Sequence, residues 1–368
     1  MKILVVSHAM VVDVYREKLK YLRAGGKNEV LLVTAKKWLE GGQIVRMNHN
    51  DKYCQPISIV RLRGYHGALF FYGPAIINCI KNFKADIIYI DEEYFSFVIL
   101  EILLLKKLFS SKSKCVFFTY QNIDKRYPIP FSLVERYALR HTDGALAANE
   151  EAANILFKRG YIKPVKVLAQ FGVDSSFVTD EVDRTPAKTF RIGYVGRIEK
   201  IKGIDTLLLA ASQLDFEYKL RLIGDGEFMG EALKLSKQLG IGKRIEIISS
   251  VAHQDVPGHL AQLDVLVLPS KTTATWKEQF GRVLIEAMAS GVPVIGSNSG
   301  AIPEVIGDAG LIFHENSSDE LREKILALAN NVSLWKSFSV KGRERVLKSY
   351  TASAVASETL KFCEKILH

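Results

Sequence analysis

The sequence predicts an α/β protein made of two doubly wound, parallel-sheet domains, and three observations predict it. Short β-branched runs alternate with longer helical patterns from end to end, the sequence form of βαβ units. The pattern halts in a polar stretch with one proline, Thr179 to Thr189, and restarts at Phe190 much as it began at Lys2. The chain has 368 residues, 48% of them apolar, enough for two cores and unlike a disordered or collagen-like chain.

Taken in order, the first half places strands at Ile3–Val6, Val30–Val33, Ile57–Leu62, Asp86–Ile90, Cys115–Tyr120, Gly144–Ala148 and Val165–Leu168. The second half places them at Arg191–Val195, Lys219–Ile223, Arg244–Ile248, Asp264–Leu268, Pro293–Gly296 and Gly310–Phe313. The expected domains are residues 1–180 and 181–350, with 351–368 an amphipathic helix that can pack back on the first domain. A ligand is expected in the cleft that two such domains would form. The longest apolar run, Phe95 to Leu105, is broken by Glu101 and falls short of the ~20 residues of a bilayer crossing, so a buried helix is expected. Gly67 to Gly73, beside Arg61, Arg63 and His66, reads either as a loop entering an interface or as the start of a packed helix.

Cys54, Cys79, Cys115 and Cys363 form no C-x-x-C pair, which argues against a zinc knuckle or disulfide framework and fits a reducing cytosol. Met1 to Ser7 reads as a strand, not a secretion signal. The expected location is cytoplasmic, with peripheral attachment to the inner membrane face open. The net charge of +10 is uneven: residues 1–180 hold 26 Lys and Arg against 17 Asp and Glu, and the rest hold 24 against 23. The first half therefore either faces an anionic partner, such as a lipid surface, or is a solvated basic face. No basic helix with interleaved aromatics points to nucleic acid.

Chemistry concentrates in the second half. After the strand ending at Leu268 a loop leads to a helix from about Gly281 to Ser290, stopped by Gly291 and Pro293. This is the carboxyl edge of a parallel sheet, where such sheets bind ligands. Gly281 would let a ligand approach the backbone, and the first-turn N–H groups favour an anion such as phosphate. Glu278 before the helix and Glu286 within it suit sugar hydroxyls better than phosphate. After the strand ending at Val195, Gly196 opens a turn carrying Arg197 and Lys202, cations able to reach a diphosphate. Gly224-Asp225-Gly226 ends the next strand, but Met229 stands where a dinucleotide fingerprint needs glycine.

Together, Gly196-Arg197…Lys202-Gly203, Gly224-x-Gly226, Pro269-Ser270, Glu278-x-Phe280-Gly281…Glu286-Ala287-Met288-Ala289-x-Gly291-x-Pro293 and Gly300-x-x-Pro303-Glu304 resemble the C-terminal half of a retaining family 4 glycosyltransferase. The resemblance covers about residues 190–315 and implies a GT-B fold, two Rossmann-like domains facing a central cleft. It implies transfer of a hexose-type sugar, with retention, from a nucleotide-diphosphate donor, UDP-sugar favoured, to a glycan, lipid-linked or small-molecule hydroxyl. By the same resemblance Arg197 and Lys202 would hold the diphosphate, Glu286 the ribose, and Glu278 with the backbone of Phe280 and Gly281 the donor sugar; Gly196 and Gly224 would lie beside the donor. No Asp-x-Asp triplet occurs, so neither a metal nor another cofactor is expected.

The first half departs from the family. Ser7-His8-Ala9-Met10 stands where many members have glycines, and Gln121-Asn122 where many have histidine. His8, Gln121 and Asn122 are candidate acceptor-side residues. Asp91, Glu92 and Glu93 would bind acceptor hydroxyls, act as base, or cap the next helix. A nucleotide-sugar epimerase, or an inactive nucleotide-sugar-binding subunit, remain alternatives at this level.

Overall fold

The structure, a computed structural model, describes residues 1–40, 43–47, 53–62, 67–178, 184–249 and 251–368. It divides into two units, Met1–Gly172 with Ala352–His368, and Val173–Thr351. Arg63, His66 and residues 179–183 of the expected linker lie outside the described residues.

The first unit holds a seven-stranded sheet of β1 (Lys2–Val6), β2 (Glu29–Ala35), β3 (Cys54–Ile57), β4 (Ile87–Ile90), β5 (Lys114–Thr119), β6 (Gly144–Ala147) and β7 (Val165–Val167). Its spatial order is β7-β6-β5-β4-β1-β2-β3 and every pairing is parallel. Strands such as β4, Ile-Ile-Tyr-Ile, are buried at every residue because helices cover both faces of a parallel sheet. The helices are α1 (Glu17–Arg23), α2 (Ala75–Phe83), α3 (Phe97–Phe109), α4 (Phe131–His141) and α5 (Glu150–Lys158). Ser96 caps α3 and Asn149 caps α5, each side chain accepting from a first-turn N–H.

The second unit holds β8 (Phe190–Val195), β9 (Tyr218–Ile223), β10 (Ile245–Ile248), β11 (Val265–Leu268), β12 (Val294–Ser297) and β13 (Leu311–Phe313). The order β10-β9-β8-β11-β12-β13 is the doubly wound order, which reverses direction between β8 and β11. Around it lie α6 (Ile204–Ser212), α7 (Met229–Gln238), α8 (Val256–Leu260), α9 (Arg282–Ala289), α10 (Ile302–Ile306), α11 (Ser318–Ala329) and α12 (Val332–Ser349). The buried Asp264 carboxylate, before β11, accepts from Arg184 and Arg191, and the Trp335 indole donates to the Asp264 carbonyl at 2.5 Å, tying α12 to the sheet.

Several expectations need correction. The domain boundary falls at Gly172/Val173, not at 180/181: the Val173 N–H donates to Tyr350, and Phe177 is buried in the second core. The last helix needs no such correction: as the sequence allows, α13 (Ala352–Leu367) packs back on α1 of the first unit. The strand expected at 57–62 is instead β3 at Cys54–Ile57, an edge strand that tolerates Pro56. Val60–Arg61 pairs antiparallel with Phe70–Phe71, and Phe70 and Tyr72 are buried, so Gly67 to Gly73 is neither an interfacial loop nor a helix start. Helix α3 is buried on one face alone: Leu104 and Leu108 are exposed.

Candidate functional site

In the second unit the sequence-predicted residues gather where the sheet order reverses. The turn after β8 carries Arg197 and Lys202; the loop after β11 carries Ser270, Trp276 and Glu278. Lys202 Nζ donates to Glu278 Oε2 at 2.8 Å, and Ser270 Oγ donates to the same oxygen at 2.8 Å. All three side chains are wholly or largely withdrawn from water. Lys202 Nζ also sits 4.3 Å from the centre of the Trp276 ring. Gly203 makes this apposition possible: its φ is +71°, and a Cβ there would stand 1.9 Å from the Pro269 carbonyl oxygen.

The loop from 270 to 280 is strapped down on several sides. The Lys271 ammonium pairs with Asp205 at 2.7 Å, the Thr272 N–H donates to Glu315, and the Glu278 carbonyl accepts from the Ala301 N–H at 3.0 Å. Helices α6 and α9 start at Gly203 and Gly281 without a side-chain cap, leaving their first-turn N–H groups to other partners. At Gly281 the fold itself favours glycine: φ is +77°, and a Cβ would meet the core side chains of Leu268 and Leu284 at 2.9 and 3.0 Å.

The remaining predicted donor residues are placed less closely. Arg197 is 66% exposed and pairs with Glu199 at 2.7 Å. Gly196 and Gly224 pack backbone to backbone at the ends of β8 and β9. Glu286 is buried on α9 and pairs with Arg282 at 2.8 Å; burial pushes its carboxyl above the ordinary range despite that arginine. Phe280 packs edge-on to Tyr350. Sequence reasoning gave no role to Ser270 or Trp276. The Thr273-x-x-Trp276 turn, in which the Trp276 N–H donates to Thr273 Oγ1 at 3.0 Å and its carbonyl accepts from the Thr273 N–H at 2.7 Å, is the signal that aims Trp276.

The first unit fills the corresponding reversal, between β1 and β4, with its own side chains. Ser7 Oγ and Gln170 Nε2 donate to the two oxygens of Asp91, each at 2.6 Å. His8 uses its backbone N–H and Nδ1 on the two oxygens of Glu92, at 2.8 and 2.6 Å, and its ring lies 4.2 Å from that of Trp38. Glu93 accepts from Thr119 Oγ1 and from the Tyr120 N–H. Burial raises all three carboxyls, Glu93 to about 7. Of the readings for the acidic run, helix capping is excluded: Ser96 caps α3, and the carboxylates tie strand ends together. Gln121 donates from Nε2 to the Ile123 carbonyl at 2.5 Å, and Asn122 is buried. Among the described residues no group of three or more His, Cys, Asp or Glu is arranged to hold a metal ion.

Residues 179–345 match the family described as Glycosyl transferases group 1. An uncharacterized glycosyltransferase of Methanocaldococcus jannaschii is 29% identical over 212 residues, 57% of this chain and 56% of that protein. The chain spans about half the length of the curated relatives it matches. Among solved structures, the sucrose-phosphate synthase of Thermosynechococcus elongatus superposes with a TM-score of 0.74 over 100% of this chain and 99% of that one, at 18% identity. Anabaena HepE in complex with UDP gives 0.73 over 99% and 100%, at 17% identity. At such identities the likeness shows the fold, GT-B. Over residues 179–345, therefore, the chain is similar to the group 1 glycosyltransferases.

Proposed function

We propose that the protein transfers a hexose-type sugar, with retention and without a metal, from a nucleotide-diphosphate sugar to a hydroxyl of a glycan, lipid-linked or small-molecule acceptor. The second unit takes the donor and the first the acceptor. The observation that carries this reading is the cluster of Lys202, Glu278 and Ser270 astride the reversal of the second sheet. Breaking the bond from sugar to diphosphate leaves negative charge on the departing nucleotide. Lys202, with the longer reach of Arg197 and the uncapped start of α9, meets that charge and supplies the neutralisation a divalent cation gives elsewhere. Until a donor arrives, Glu278 compensates Lys202. The diphosphate then competes for the ammonium, and the carboxylate turns to sugar hydroxyls. Glu286, kept dry on α9, takes the ribose. UDP is favoured as carrier because a structural neighbour binds it.

A panel of nucleotide diphosphates screened by thermal stabilisation tests the donor half: the preferred nucleotide, at a hundred times its Kd, adds about 2.7 kcal/mol to stability. With the matching nucleotide-sugar, K202A and E278A lower turnover by about 100- to 1,000-fold at unchanged circular dichroism, and chelator leaves wild-type turnover intact. If no nucleotide raises the melting temperature, or both variants keep full turnover, the reading fails.

A further inference from the structure

The first unit presents a surface that the transfer reaction does not use. Helices α3 and α4 pack side by side on one face of the first sheet, with the Phe97 and Phe131 rings stacked at 5.4 Å. On α3 the buried residues are Val98, Ile99, Ile102 and Leu103, so helical spacing puts Leu104 and Leu108 at the middle of the opposite, outward face. On α4 the buried residues are Val134, Glu135 and Ala138, and the outward row is Leu133, Arg136 and Arg140; Ile129, two residues before the helix, is 76% exposed. The apolar members of this surface are well exposed, Leu108 at 72% and Leu133 at 52%.

Charge accompanies the exposed leucines. Residues 104–141 contain eight Lys and Arg against Asp124 and Glu135 alone, and both acids pair with Arg159. Asp143 engages Lys106 and Lys114, whereas Lys107 and Arg140 form no ion pair among the described residues, and Arg136 has only the attraction of Glu135, which Arg159 already pairs. Exposed leucines interleaved with cations in excess of the acids around them, on two adjacent helices, are the pattern of a protein face lying in a lipid headgroup layer. No helix among the described residues is long and apolar enough to cross a membrane.

We propose that the outward face of α3 and α4 docks on an anionic bilayer. Leu104, Leu108, Leu133 and Ile129 enter the boundary between headgroups and acyl chains, and Lys107, Arg136 and Arg140 meet lipid phosphates. This binding does not depend on the donor reading, because none of these residues belongs to the donor site.

Co-sedimentation of the full chain with phosphatidylcholine vesicles, with and without phosphatidylglycerol, tests it. The wild type partitions to the anionic vesicles and is released by salt. At about fivefold per neutralised charge, R136Q/R140Q loses about 25-fold in partitioning. L108S/L133S loses binding while its circular dichroism and its stabilisation by nucleotide stay those of wild type. Equal partitioning of the wild type to both vesicle types, no partitioning, or unchanged binding by both variants overturns the proposal. A dimer that L108S/L133S splits, with no vesicle binding, overturns it in favour of a second copy of the chain.

Discussion

Trp276 shows what one residue would contribute to the proposed donor site. The ammonium of Lys202 is flexible on its four-carbon stem, and an indole face 4.3 Å away limits where it rests. A cation–π contact of about 0.5–2 kcal/mol predicts that W276A raises the donor KM by roughly 2- to 30-fold, with a smaller effect on kcat. W276F restores most of the affinity and W276L does not, since a leucine fills space but has no ring to hold a cation. Donor KM measured at fixed acceptor for the three variants decides this, and equal rescue by leucine would show that bulk alone matters. Glu278 illustrates the other limit of residue-level reading: its position before the helix marks it for the site, yet its link to Lys202 crosses 76 residues of sequence.

At the scale of elements, the carboxyl ends of the strands do different work in the two sheets. In the second they hold glycine turns and the Lys202 cluster. In the first, carboxylates bind one strand end to the next, Asp91 and Glu92 joining β4 to the residues after β1, and Glu93 joining β4 to β5. Burial raises the Glu93 carboxyl from 4.5 to about 7, with the neighbouring charges of Glu92 and Asp91 adding to the rise. The folded state therefore keeps this proton where the unfolded chain releases it. Stability linked to Glu93 is full below pH 4.5 and declines, by about 3 kcal/mol in all, as the pH rises to about 7. E93Q does not titrate, so its melting temperature gains on the wild type between pH 5 and pH 8; an equal difference at both pH values would contradict the account.

For the whole molecule, the path of the chain matters most. It builds the first unit to Gly172, completes the second by Thr351, and returns to finish the first with α13. Val355, Phe362 and Ile366 are buried there, and at about 1.5–3 kcal/mol each they supply roughly 5–9 kcal/mol. That is comparable to the whole stability of a typical domain, about 5–15 kcal/mol. Removing residues 352–368 is thus expected to unfold the first unit while the second survives, so that limited proteolysis leaves a resistant fragment beginning near Val173. Equal protection of both units in the truncated chain would contradict this.

The sequence by itself determined the alternation of strands and helices and the existence of two doubly wound units, and it singled out Lys202, Glu278 and Glu286 as candidates. Those features are written in local periodicity and in short motifs whose spacing is covalent. It misplaced the edge strand, because an edge needs little apolar signal, and the boundary at Gly172/Val173, because a polar stretch marks exposure, not membership in a core. Tertiary structure alone decided that Lys202 meets Glu278, that His8 is held by Glu92, and that leucines of α3 face outward. Each is settled by which strands become neighbours and by what covers a helix, and long-range packing of this kind leaves no fixed interval along the chain to be read.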